Sequence, residues 1–93
     1  DEQDKMNRSI EDVGGSILIV SQFTLLGDAR KGRRPSFIRA GAPSEAQALY
    51  DEAVAAYRGT GLPIQTGVFQ ADMQVYSQND GPVTILLDSR KLF

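Results

Sequence analysis

The chain has 93 residues, of which 41% are hydrophobic and 24% charged, with a formal net charge of −2 and neither cysteine nor histidine. This size and composition fit one soluble domain spanning residues 1–93, and no apolar run approaches the roughly 20 residues that cross a bilayer. Disulfides, thiolate chemistry, a serine–histidine triad and the usual zinc ligands are therefore excluded. Any catalysis would use backbone dipoles, hydroxyls, carboxylates or a group that the substrate brings.

The first fifteen residues are polar and end at the pair Gly14-Gly15, which predicts a turn. No hydrophobic stretch resembling a signal peptide opens the chain. It starts at Asp1 without an initiator methionine, and no strand precedes the polar segment. We therefore expect the chain to begin inside a larger domain.

Residues 16–24 contain four consecutive aliphatic side chains after Ser16, three of them β-branched, and their end is mostly polar. Such a run predicts a strand that is buried on both faces. Buried polar groups need hydrogen-bond partners, so the polar end either caps the sheet or faces a cavity. The aliphatic residues are Ile17, Leu18, Ile19 and Val20, and the polar ones are Ser21, Gln22 and Thr24.

Residues 25–43 contain three glycines and two prolines, which predicts a loop, with Phe37 as its anchor into the core. Half of the chain's ten basic residues fall within positions 30–39. This cluster is either a solvated surface or a local contact for a polyanion. The segment from Gly27 to Gly32 lacks the Gly-Lys-Ser/Thr ending of a phosphate-binding loop. The basic residues are Arg30, Lys31, Arg33, Arg34 and Arg39.

Residues 44–58 carry apolar side chains at helical spacing, which predicts an amphipathic helix. Ser44 and Gln47 form a capping-box pattern at its start, and Gly59 is suited to end it in the left-handed conformation. Residues 60–66 are interpreted as a link. The apolar face consists of Ala46, Leu49, Tyr50, Ala53, Val54 and Tyr57.

Apolar residues alternate on both sides of the sequence Asn-Asp-Gly-Pro at 79–82, which predicts two strands joined by a tight turn. The turn is either an ordinary hairpin connection or a rigid ligand clamp. The scattered carboxylates lack the spacing of a catalytic pair or a calcium loop, so we expect no metal site. The alternating residues are Phe69, Ala71, Met73 and Val75 before the turn, and Val83, Ile85 and Leu87 after it.

Two stretches, SQFTLLGD from Ser21 and NDGPVT from Asn79, resemble the two signature motifs of the D-aminoacyl-tRNA deacylases, formerly called D-tyrosyl-tRNA deacylases. The intervening stretches DARKGRRPSF, EAQALYDEAV and TGVFQADMQV resemble the same family in the same order. The resemblance extends from about Lys5 to Ser89.

The resemblance implies an α/β fold of mixed, barrel-like layered β-sheets with packed helices, here incomplete at the N-terminus. Members of the family carry further strands and a helix before the position that matches Asp1. Their activity is hydrolysis of the ester between tRNA and a D-amino acid or glycine, including glycine mischarged on alanine tRNA. They are cytoplasmic homodimers that need no tightly bound cofactor.

The resemblance further implies that a cis Gly81-Pro82 bond reaches into the partner subunit's pocket and excludes L-amino acids by clash. Backbone N–H groups of Gln22 and Phe23 would stabilise the oxyanion. No side chain is an obvious base for the hydroxyl of Thr84, so the substrate's ribose hydroxyl is the better assistant. The implied catalytic residues are Ser21, Gln22, Phe23, Thr24 and Thr84; the substrate-binding residues are Ala46, Met73, Asn79, Gly81 and Pro82; the tRNA-phosphate contacts are Lys31, Arg33 and Arg34.

Two alternatives stay open. The chain could be a non-catalytic nucleic-acid-binding module that uses the basic loop 30–39. It could also be a proofreading domain of the kind found in some threonyl-tRNA synthetases, which resemble this fold. The Gly-Pro turn and the SQFT motif favour the free-standing deacylase.

Overall fold

The computed structural model describes residues 1–81 and 83–91. Its elements are strand β1 (Ile17–Ile19), a 3₁₀ helix (Phe23–Leu26), helix α1 (Pro43–Arg58) and strand β2 (Ile64–Thr66). The two strands pair in parallel, with Ile17 opposite Ile64 and Ile19 opposite Thr66. Parallel neighbours require a crossover, and α1 lies within the connection between them. The described residues therefore form a small mixed α/β fold with one α-helix and a two-stranded sheet.

The strand predicted over residues 16–24 is shorter than expected, and its burial was predicted wrongly. Pairing stops at Ile19, and the polar end turns into the 3₁₀ helix instead of continuing the sheet. Leu18, in the middle of β1, is 58% exposed. Ile17 and Ile19 are half-buried on one face of β1, whereas no described element buries the opposite face that carries Leu18. A side-chain hydrogen bond of 2.6 Å from Gln22 to Thr24 favours the local turn.

Helix α1 and its predicted end at Arg58 are confirmed, whereas the predicted start and the predicted conformation of Gly59 are wrong. The N-cap is Ala42, without a side-chain hydrogen bond, and Pro43 occupies the first turn, where its missing N–H costs nothing. Ser44 therefore lies inside the helix and cannot form the capping box. Gly59 is right-handed with φ −65°, and the left-handed residue is Gly61 with φ +82°. The left-handed turn into the connection to β2 therefore lies at Gly61, two residues later than predicted.

The region after β2 also differs from the prediction. Residues 64–66 were interpreted as a link but form β2, whereas no strand forms within the described residues 67–81 and 83–91. The predicted hairpin is therefore wrong, because alternation marks an apolar face but does not supply the neighbouring strand that must accept its hydrogen bonds. Leu87 is 90% exposed and Val75 is 57% exposed. The Pro82 end of the predicted turn lies outside the described residues.

The best-covered side chains lie where α1 packs on the sheet, although no described hydrophobic side chain is fully buried. The Gly14-Gly15 turn is confirmed, since Gly14 has φ +66° and the Gly15 N–H donates to the Ile10 carbonyl at 3.0 Å. Among the described residues, no helix has the length and apolar character needed to cross a membrane. The half-buried apolar side chains of this cluster are Ile17, Ile19, Val20, Tyr50, Val54, Leu62, Ile64 and Phe69.

Candidate functional site

A cavity of about 1030 Å³ opens beside the end of β1. It lies where the chain leaves the sheet, where α1 begins, and where residues 69–75 pass in front of the helix. The lining is a mixture of small, aromatic and amide side chains with one carboxylate. Its residues are Val20, Ser21, Gln22, Phe23, Leu26, Ala40, Gly41, Pro43, Ala46, Tyr50, Phe69, Gln70, Ala71, Asp72, Met73 and Val75.

Five of the ten predicted catalytic and substrate-binding residues line this cavity, although they come from three separate parts of the chain. Ser21, Gln22 and Phe23 follow β1. Ala46 lies in the first turn of α1 and is half-buried. Met73 comes from the segment after β2.

Four of the other predicted catalytic and substrate-binding residues do not line the cavity of this chain. Thr24 lies next to its rim and accepts the hydrogen bond from the Gln22 side-chain amide. Asn79, Gly81 and Thr84 are exposed and are absent from the cavity lining. Pro82 lies outside the described residues. Gly81 has φ +138°, a conformation that other L-amino acids rarely adopt, so glycine is required there.

Two backbone N–H groups after β1 have no hydrogen-bond acceptor among the described residues. The N–H groups of Gln22 and Phe23 donate no hydrogen bond to any other described residue. This follows from local geometry, since the first N–H groups of a helical turn have no partner within that turn. Both residues line the cavity. These two amides are therefore candidate backbone donors for a ligand in the cavity.

Tyr50 is a cavity residue that the sequence reasoning assigned only to the apolar face of the helix. Its hydroxyl donates to the carbonyl of Ile19 at 3.0 Å, and the carbonyl of Gly67 lies 3.4 Å from the same oxygen. Its ring packs against Phe69 with centroids 6.0 Å apart. A tyrosine among aliphatic residues on a buried helix face was the available signal, because a covered phenol needs a polar partner.

Met73 is held in place without a strand. The Val68 N–H donates to its Sδ at 3.4 Å, and a Cβ added to Gly67 would lie 2.8 Å from that sulfur. Glycine at 67 therefore allows the thioether to lie against the backbone that follows β2. This contact brings a predicted pocket residue to the cavity although the predicted hairpin is absent.

Phe37, in the basic loop, contacts the part of the cavity lining that the 3₁₀ helix provides. Its ring packs edge-to-face on Phe23 at a centroid distance of 5.2 Å. Gly27 makes room for this pair, because a Cβ at that position would lie 3.0 Å from the ring of Phe37. Phe37 is half-buried, so it anchors the loop to the cavity wall and not to the sheet.

The basic loop is closed at its base by Asp28 and Ser36. Each donates its N–H to the other's carbonyl, at 2.7 and 2.8 Å. Arg30 is occupied inside the loop, where its Nε and Nη2 donate to the two carboxylate oxygens of Asp28 at 2.9 and 2.6 Å. These hydrogen bonds, and a third from the Arg30 N–H, lower the pKa of Asp28 to about 2.

The remaining cations at the tip of the loop are accessible. Lys31, Arg33 and Arg34 are exposed and form no ion pair with any other described residue. These are the three residues predicted to contact phosphate. The described part of the chain has no group of carboxylates that could hold a metal ion.

Comparison with known proteins identifies closely similar sequences. The family described as D-Tyr-tRNA(Tyr) deacylase matches residues 1–88. A D-aminoacyl-tRNA deacylase from Desulfitobacterium hafniense (strain DSM 10664 / DCB-2) is 62% identical over all 93 residues of this chain. Proteins of the same name from Alkaliphilus metalliredigens (strain QYMF) and Thermotoga petrophila (strain ATCC BAA-488 / DSM 13995 / JCM 10881 / RKU-1) are 57% and 56% identical, also over the whole chain. The chain spans 62% of the length of each of these relatives.

Proposed function

This chain belongs to the D-Tyr-tRNA(Tyr) deacylase family, and we propose that the protein hydrolyses the ester bond of D-aminoacyl-tRNA to give a free D-amino acid and tRNA. The relatives named D-aminoacyl-tRNA deacylase are 56–62% identical to it. The observation that carries the proposal is the cavity, which gathers Ser21, Gln22 and Phe23 with Ala46 and Met73.

The proposed chemistry relies on the backbone. Water adds to the ester carbonyl, the N–H groups of Gln22 and Phe23 stabilise the oxyanion, and the bond to the ribose oxygen then breaks. In other enzymes the loss of one such donor costs about 3–4 kcal/mol of transition-state stabilisation. The substrate's neighbouring ribose hydroxyl assists the attack. Two observations support a mechanism that relies on backbone and substrate groups. This sequence contains no histidine, and the N–H groups of Gln22 and Phe23 donate to no other described residue.

Chiral selection is proposed to come from a second subunit of a homodimer. Gly81-Pro82 of one subunit would occupy the space that an L side chain needs in the other subunit's cavity, with Asn79 and Thr84 beside it. Asn79, Gly81 and Thr84 are exposed and do not line the cavity of their own chain, which supports a role in another subunit's cavity. Rejection by rigid backbone is a form of specificity through repulsion.

Binding of tRNA is proposed to use Lys31, Arg33 and Arg34 as contacts to the phosphates of the acceptor end. Their side chains are exposed and form no ion pair with another described residue. This supports the role, since a cation that is already paired contributes less to a polyanion contact. Phe37 carries the loop on the same wall that contributes Phe23 to the cavity. Phosphate contacts would therefore orient the substrate relative to the ester site.

We extend the proposal to the architecture and location of the complete protein. The layered, barrel-like sheet of the family would cover apolar side chains such as Ile85, which is 67% exposed in this chain. A substrate used in translation implies a cytoplasmic enzyme. No bound cofactor is required by the chemistry above.

The deciding experiment compares hydrolysis of D-Tyr-tRNA and L-Tyr-tRNA by the full-length protein. We expect release of D-tyrosine and retention of the L ester. Equal rates for the two esters would refute the chiral proposal. A second candidate, a non-catalytic RNA-binding module, is favoured only by the exposed basic loop, and it predicts tRNA binding without cleavage of either ester.

A further inference from the structure

The hydroxyl of Tyr50 is the feature that the proposed chemistry leaves unused. Tyr50 lies near the middle of α1, four residues after Ala46, so both side chains face the cavity from the same side of the helix. Its hydrogen bond of 3.0 Å to the Ile19 carbonyl links α1 directly to the backbone of the sheet. Among the described residues, no other side chain of α1 makes a hydrogen bond to either strand.

The Ile19 carbonyl accepts two hydrogen bonds at the point where the parallel ladder ends. One comes from the Gly67 N–H at 2.9 Å, and the other comes from Tyr50. A carbonyl oxygen has two lone pairs, so both donors can be satisfied. Tyr50 therefore reinforces the pairing of β1 with the chain after β2 at its last position.

This position determines where the cavity wall begins. Ile19 is the last residue of β1, and the wall starts at the next residue with Val20. The unpaired N–H groups of Gln22 and Phe23 follow within four residues of the Ile19 carbonyl. Residues 20–22, between Ile19 and the 3₁₀ helix, belong to no regular element. The placement of the Gln22 amide, and of the helix start at Phe23, therefore depends on how the end of β1 is held.

We propose that Tyr50 is a positioning residue for ester hydrolysis: its hydroxyl fixes the end of β1 and thereby orients the two backbone donors of the wall. The inference rests on the proposed function. It separates two roles of one side chain, because the ring packs on Phe69 whereas only the hydroxyl reaches the strand. Catalytic groups tolerate little displacement, and a shift of about 1 Å can cost about 100-fold in rate.

The first test replaces Tyr50 with phenylalanine in the full-length protein. Tyr50→Phe keeps the ring and removes the hydroxyl. Tyr57→Phe is the matched control: it lies on the same helix, is 47% exposed, and its hydroxyl makes no hydrogen bond to a described residue. We expect kcat for D-Tyr-tRNA to fall about tenfold in Tyr50→Phe with KM unchanged within about twofold. Tyr57→Phe should match the parent protein in both constants.

Stability is measured in parallel, so that kinetics are compared at a temperature at which each variant is fully folded. If Tyr50→Phe does not fold, two replacements of similar size decide the matter. p-Aminophenylalanine at residue 50 retains a donor, and p-methylphenylalanine does not. We expect the amino variant to keep most of the parental kcat and the methyl variant to lose it.

The outcomes separate this inference from the function on which it rests. If the parent protein cleaves D-Tyr-tRNA and Tyr50→Phe has the same kcat as Tyr57→Phe, the positioning role is refuted and the function stands. Equal kcat for the amino and methyl replacements would refute it as well. If the parent protein cleaves no ester, the proposed function fails and the positioning role fails with it.

Discussion

The sulfur of Met73 lies against Gly67, so close that a Cβ at residue 67 would stand 2.8 Å from it. This contact connects the end of β2 with the segment that closes one side of the cavity. It holds Met73 at the cavity by packing and by one hydrogen bond from the Val68 N–H, with no strand pairing. Replacing the glycine should therefore affect the cavity more than the fold.

We expect Gly67→Ala to displace the Met73 side chain, because the thioether is more easily moved than the backbone. Overpacking of this kind costs about 1–3 kcal/mol of unfolding free energy, and the flexible methionine places this site at the lower end. KM for D-Tyr-tRNA should rise as the sulfur enters the cavity. Urea unfolding and steady-state kinetics measure the two effects. Unchanged KM together with a large loss of stability would contradict this expectation.

A second prediction concerns Ala46, whose side chain lines the cavity from the first turn of α1. Ala46→Leu should lower kcat/KM for D-Tyr-tRNA by about tenfold or more, since a misfit of one methylene in a pocket is worth about 1–3 kcal/mol. Leucine is nearly as good a helix former as alanine, so helix content by circular dichroism should not change. Ala48→Leu, on the exposed side of the same helix, is the control and should retain full activity.

A third prediction tests the exposed cations of the basic loop. Arg33→Ala combined with Arg34→Ala should raise KM for D-Tyr-tRNA and leave kcat nearly unchanged. The slope of log affinity against log salt should fall by about 1.4, since each contact to single-stranded phosphate contributes about 0.7. Arg58→Gln removes a cation at the far end of α1 and should alter neither quantity. A salt slope that is the same in all three proteins would exclude these arginines from the RNA interface.

A fourth prediction concerns the pKa of Asp28, which hydrogen bonds from Arg30 lower from 3.8 to about 2. The sign follows from linkage: a depressed carboxyl pKa stabilises the folded loop above about pH 4, and this contribution is lost as the pH falls through 2. NMR titration of the carboxyl carbon measures the pKa directly. In Arg30→Gln the pKa should rise toward 3.8 but remain below it, because the backbone N–H of residue 30 still donates to the carboxylate. Arg39→Gln removes only a minor electrostatic influence and should change the pKa of Asp28 far less.

The helix and part of the candidate site could be predicted because they depend on local sequence. The apolar spacing of α1 placed Ala46 and Tyr50 on one face, and both line the cavity. The aliphatic run before Ser21 correctly predicted a strand, although the strand ends at Ile19 and does not include the motif that begins at Ser21. The helix start was missed because Ser44 has good capping chemistry, whereas Pro43 fits the first turn and moves the boundary back.

The pairing of strands could not be predicted, because it depends on residues far apart in the chain. Ile64 pairs opposite Ile17 across 47 positions, and nothing in the three residues of β2 indicates that partner. The alternation from Phe69 to Leu87 was a stronger strand signal than β2 itself, yet it finds no partner among the described residues. The Tyr50–Ile19 hydrogen bond was missed for the same reason, since its acceptor is defined by tertiary structure.

The mutual backbone pair of Asp28 and Ser36 makes residues 29–35 a closed appendage with its own base. Lengthening a flexible loop costs little, with each doubling adding about 0.6 kcal/mol of closure entropy. Insertions or charge changes beyond that base can therefore accumulate during evolution without reshaping the Phe23–Phe37 contact. Under the proposed function, the affinity of this loop for RNA phosphates can therefore change without a change in the cavity that is proposed to hold the ester.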